Sequence, residues 1–269
     1  MSAKLSNNSI SKKTRKFAKQ VPVWRQKFGR VLLVVGWAAL SLFLADGIVF
    51  GLTRLITKTR WLDTVNPAVV NSFAMMLVFA ISLLILFTSN RLLVRRLPKI
   101  AAKLKISKTE IGWGGWLTWQ QLLLGIASFI ATMVVVALIL SLIKQIFPSF
   151  PIEQVQEIGI KASHIYWRGE LLVVFLLLVV MTPIAEELIF RGFLYGKIRQ
   201  NLPIWATTII VSLLFGVAHG QWNVGVVTFV MSVAMCLTRE ATGSIYPAII
   251  LHAIKNGLAF ALIYILKIQ

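Results

Sequence analysis

A chain of 269 residues that is 58% hydrophobic, with mean hydropathy +0.81, is too apolar for a soluble globular protein. Its single cysteine, Cys236, excludes an intrachain disulfide. The formal charge of +19 comes from basic residues clustered between long apolar runs, so positive-inside orientation accounts for it and nucleic-acid binding is excluded as its meaning. Continuous apolar runs of about twenty residues fit helices crossing the bilayer, and the alternation of a membrane β-barrel is missing. The expected fold is all-α, a polytopic membrane helical bundle of about seven transmembrane helices, within a range of six to eight.

Residues 1–30 carry nine Lys/Arg and no acidic residue, and they read as a basic cytoplasmic tail lying against anionic headgroups. The first expected span, Val31 to Leu52, is too long for a cleaved signal peptide. A second runs from Pro67 to Phe87. The connection after it, Thr88 to Trp116, holds seven Lys/Arg against Glu110 alone, which assigns it to the cytoplasm. Trp113 and Trp116 suit the interface, and a third span covers Leu117 to Ile143. Pro148 and Pro151 end it, and an outer-surface segment follows with Glu153, Glu157 and His164, the last read as an ordinary surface histidine.

The fourth span begins near Gly169, passes through Glu186 and Glu187 and continues to about Gln200. Pro183 is expected to kink it one turn before Glu186 and to free backbone carbonyls there. Asn201-Leu202-Pro203 makes a turn. The fifth span is Ile204 to His219, the sixth Val224 to Leu237, and the seventh Ile245 to Leu266.

A carboxylate retained in hydrocarbon is costly and commonly faces a polar cavity. Alone, the two glutamates could be a buried ion pair pinning two helices. Depth argues for more. Glu186 lies 14 residues before Gln200 and His219 lies 16 after Pro203, so both sit roughly 21–24 Å from their shared turn. His252 lies about 12 Å in from Ser244, and Asn256 one turn deeper at about 18 Å on the same face. Glu187 and Arg191, four residues apart, are placed to pair, whereas Glu186 points about 100° away from Glu187 and lacks such a partner.

Carboxylates, histidines and an amide at one depth suit hydrolysis. A glutamate with a neutral histidine can deprotonate water, while a histidine and an asparagine can donate to an oxyanion. The same residue types, with Glu186, His219 and His252 as candidates, could instead hold a Zn²⁺ ion that activates water. The usual ligand pair one helical turn apart is missing, which favours water activation without an obligatory metal. No His-Glu-x-x-His helix, Gly-x-Gly-Asp aspartyl motif or Gly-x-Ser-x-Gly elbow is present.

Glu186-Glu187-x-x-x-Arg191, Phe215-x-x-x-His219 and His252-x-x-x-Asn256 resemble, in order and spacing, the three motifs of the CPBP (CAAX protease and bacteriocin-processing, also called Abi) family. Phe190-Arg191-Gly192-Phe193-Leu194 and Thr242-Gly243-Ser244 are also similar to that family's sequences. The resemblance covers about residues 110–266. It implies an intramembrane endopeptidase in which Glu186 and His219 activate water, and His252 and Asn256 stabilise the oxyanion. The family is commonly labelled metalloprotease.

The chain is thus expected to comprise the tail 1–30, an N-terminal transmembrane region 31–109 and a protease-like domain 110–269. It is expected in the cell membrane with a cytoplasmic N-terminus. Its partners are the bilayer and a peptide or protein substrate. Two other readings are a non-catalytic immunity or scaffold protein of the same fold and a proton-relaying transporter. The second lacks the inverted repeat such proteins show.

Overall fold

The computed structural model describes residues 22–58, 65–152, 165 and 167–267. Most of the basic tail, and Glu153, Glu157 and His164, lie outside the described residues. Among those described there are helices and connections and no strand. Six helices are long and apolar enough to cross a membrane, and a seventh apolar helix is shorter. The protein is an integral membrane helical bundle.

Helix α1, Val23–Thr57, begins eight residues before the expected span, because its first turns carry no helix breaker after Pro22. Helix α2, Pro67–Leu93, starts where Asn66 accepts from the Ala68 N–H and Pro67 occupies the first turn, where its missing N–H costs nothing. The two helices form a hairpin that approaches closely at Ala38, Ser41 and Ala45, with the Ser41 and Ser82 hydroxyls 3.1 Å apart. Two short helices follow, α3 (Pro98–Leu104) and α4 (Lys108–Ile111), the second opened by a Ser107–Glu110 capping box. Helix α5, Trp119–Ile146, is opened by a second box, Thr118–Gln121.

Helix α6, Arg168–Arg199, is unbroken, but two stretches, Leu176–Met181 and Leu188–Leu194, are π-helical. The kink expected at Pro183 therefore takes the form of a widened turn just before the proline, which shifts the register of bonding from i+4 to i+5. Helix α7, Ile204–Val217, ends two residues short of the expected span, and His219 sits in the turn after it. Helices α8 (Trp222–Thr242) and α9 (Tyr246–Ile265) complete the bundle.

Small residues set the closest approaches. A methyl group on Gly216 would stand 2.8 Å from the Gly225 carbonyl oxygen, and one on Gly196 would stand 2.5 Å from that of Glu110. Backbone cannot yield as a flexible side chain can. Gly216→Ala is accordingly expected to destabilise the α7–α8 hairpin by about 1–3 kcal/mol, read as a lower melting temperature in detergent. An unchanged melting temperature would contradict this account of the packing.

The connection carrying α4 is clamped to one end of the bundle. Arg239 donates to the Glu110 carbonyl at 2.9 Å, Ile245 N–H to the Gly112 carbonyl at 3.1 Å, and the Tyr246 hydroxyl to the Gly115 carbonyl at 3.2 Å. Nearby, Arg199 and Tyr195 of α6 both donate to Glu240 of α8. These bonds gather the 94–118 connection and the ends of α6, α8 and α9 at one face, called the basic face below.

Candidate active site

The π-helical turn in α6 creates the first element of the site. The Thr182 N–H bonds to the Leu177 carbonyl, five residues back. In that register the Leu178 carbonyl would look to residue 183, a proline with no N–H to give. Asn256 supplies the missing donor, with its Nδ2 at 2.9 Å from the Leu178 oxygen. A freed carbonyl was expected here, and its partner turns out to be one of the predicted site residues. The bond ties α9 to α6 and fixes the asparagine amide with its second N–H still available.

The neighbouring glutamates occupy different surroundings. The Glu187 side chain is 0% exposed, and its Oε1 accepts from Arg191 Nη1 at 3.0 Å and from His252 Nδ1 at 2.9 Å. Glu186 is 19% exposed at the side chain, and its Oε2 has no hydrogen-bond partner among the described residues. That oxygen lies 3.8 Å from His252 Nε2. The two carboxylates thus address opposite nitrogens of one imidazole. Helical phase separates the glutamates from each other, but it says nothing of a ring on another helix reaching both.

Both histidines are oriented by acceptors. His252 Nδ1 faces a carboxylate and His219 Nδ1 faces the Phe215 carbonyl at 2.8 Å, so each Nδ1 carries the proton that is donated. His219 Nε2 is left as an acceptor. Phe215 does more than space the second motif. Its ring is 1% exposed, packs edge-on to Phe190, His219 and His252, and lies 4.4 Å from the Arg191 guanidinium carbon. This contact helps to offset the burial of the arginine charge.

Glu186, His219, His252 and Asn256 all line one cavity of about 350 Å³. Arg191 and Glu187 do not line it and stand behind it. Depth counting from the turns left His252 nearer the basic face than Glu186, yet the two are in contact.

Thr182 and Lys255 also line the cavity and were missed in the sequence. Lys255 was legible as a cation three residues after His252, on the same helical face. Its ammonium is within electrostatic range of Glu186. Among the described residues no three His, Cys, Asp or Glu side chains are gathered as a metal-binding group. Glu186 and the Nε2 atoms of His219 and His252 remain the candidate ligands, since an acceptor on Nδ1 leaves Nε2 able to bind a metal, but the three are not gathered as a group.

Residues 168–258, which contain all three motifs, match the family model described as type II CAAX prenyl endopeptidase Rce1-like. It is a protease family, and the match agrees with the resemblance read from the motifs. At the level of that family the implied activity is CAAX-protease-type, on a peptide substrate at a membrane. No curated protein matches the chain. No solved structure matches it.

Proposed function

We propose that the chain is an intramembrane endopeptidase in which Glu186 and His219 activate a water molecule and His252 and Asn256 bind the oxyanion. The observation that carries this reading is Glu186, whose Oε2 has no hydrogen-bond partner among the described residues and which lines one cavity with His219, His252 and Asn256. A scaffold would be served by the Glu187–Arg191 pair alone and would have no use for a second carboxylate beside two oriented imidazoles.

In the proposed reaction, water held by His219 Nε2 and Glu186 attacks the peptide carbonyl carbon while Glu186 takes its proton. Negative charge develops on the carbonyl oxygen. The free N–H of Asn256 and a protonated His252 Nε2 donate to it, with Glu187 holding that ring in place through Nδ1. Collapse breaks the C–N bond, and Glu186 returns its proton to the departing amine. Every step uses side chains of the chain itself, and turnover is expected to survive exhaustive chelation. Loss of activity in parallel with loss of stoichiometric zinc would count against this mechanism.

Asn256→Ala is expected to lower turnover by about 10²–10³ with a smaller change in substrate affinity. The variant also leaves the Leu178 carbonyl unpaired, at a cost of about 1–3 kcal/mol, so its melting temperature must be measured alongside. Affinity collapsing while turnover survives would remove Asn256 from the oxyanion site. Peptidase activity itself is tested by comparing new N-termini in membranes of cells producing the wild-type chain or Glu186→Gln. Termini that depend on Glu186 are expected, and identical sets from both would sink the proposal.

A further inference from the structure

We infer that the cavity is entered from the face opposite the basic one, so that the peptidase takes an apolar peptide segment presented at the outer leaflet. What enters rests on the peptidase reading; the side of entry rests on geometry and on the charge of the basic face.

Helix α7 has 14 residues and spans only about 21 Å, roughly 9 Å less than the hydrocarbon core. It starts at the basic face, next to Arg199, so its far end stops inside the membrane. The turn that carries Ala218, His219 and Gly220 therefore lies in a recess below the opposite surface. Ala218 and Gly220 are exposed, and Gly220 takes φ +70° to reverse the chain there. Polar backbone at that depth is tolerated where it lines a water-filled cavity.

The cavity lies on the same side. Its wall on α9 runs from His252, six residues after Tyr246, to Ile263, near the helix end away from the basic face. On α2 the wall is Met75, eight residues from the Pro67 end, which is also opposite the basic face. None of its lining residues comes from the 94–118 connection, which covers the other end of the bundle. Arg95, Arg96, Lys99, Lys103, Lys105 and Lys108, with Arg91 in the last turn of α2, assign that connection to the cytoplasm. Met75, Phe260 and Ile263 give the outer part of the cavity an apolar wall, with the polar side chains deeper. Such a passage admits an apolar segment that can leave the lipid, and cuts it below the outer surface.

The test is thiol accessibility in bacterial cells producing the full chain, with a membrane-impermeant maleimide. Cys236 is fully buried, so the wild-type chain serves as the blank. Ala218→Cys and Ile263→Cys report the cavity, and Lys99→Cys reports the basic face, with detergent melting to confirm folding. The expected result is that the cavity thiols label equally in intact and permeabilised cells, while Lys99→Cys loses its labelling in intact cells. Cavity thiols that label only after permeabilisation, or on the same side as Lys99→Cys, would overturn the inference. So would folded variants whose cavity thiols never label. Each outcome is independent of whether Glu186→Gln abolishes cleavage, so the two readings fail separately.

Discussion

Glu186→Gln is expected to lower cleavage by at least about 10³-fold while leaving the melting temperature in detergent close to that of the wild-type chain. The exchange is nearly isosteric, and the oxygen it alters has no hydrogen-bond partner among the described residues, so little packing is lost. A glutamine can still hold water but cannot take its proton. Loss of the charge relieves a desolvation cost and forgoes the attraction to His252, 3.8 Å away, and to Lys255, so the two roughly offset and the melting temperature should hold. Measured on purified protein with a peptide substrate, the defect should fall on turnover rather than on affinity. A stable variant that cleaves normally would remove Glu186 from the mechanism. A variant that unfolds would mean that its carboxylate is structural.

Much of the fold was legible because a bilayer leaves few options. Each apolar run has to be a helix of a certain length, and the basic connection orients the set. What escaped the sequence were places where a helix departs from the regular form. Pro183 marked a distortion in α6, but nothing in the spacing distinguished a kink from a π-helical turn, because the choice depends on Asn256 of a distant helix taking up the Leu178 carbonyl. The early end of α7 was hidden for a similar reason: Ala218 and His219 extend the apolar pattern, and only Gly220 at positive φ and the Gly216–Gly225 contact set where the chain reverses. In the candidate site, the i,i+4 relation placed Glu187 beside Arg191, and the ion pair is there at 3.0 Å. The same one-dimensional argument could not reveal that His252, 65 residues on, uses the same oxygen.

That shared oxygen shapes the second large effect. Glu187→Gln is expected to destabilise the protein by about 3–5 kcal/mol, because it leaves the Arg191 charge buried without its counterion. Arg191 is 0% exposed, and the Phe215 ring offsets its charge only in part. Replacing both partners, Glu187→Gln with Arg191→Met, removes the orphaned charge and should restore most of the lost stability, since buried ion pairs exchange for apolar packing at little net cost. Activity should not return with it. A glutamine at 187 can still accept from His252 Nδ1, but it is neutral, and a positively charged imidazole donating from Nε2 to the oxyanion would lose the carboxylate behind it. The double variant should therefore melt near the wild-type temperature and turn over slowly, with affinity for an uncleaved substrate analogue retained. Recovery of both properties would confine Glu187 to the ion pair. Recovery of neither would show that Arg191 makes contacts that methionine cannot replace, and Glu187→Gln with Arg191→Lys would then separate charge from shape.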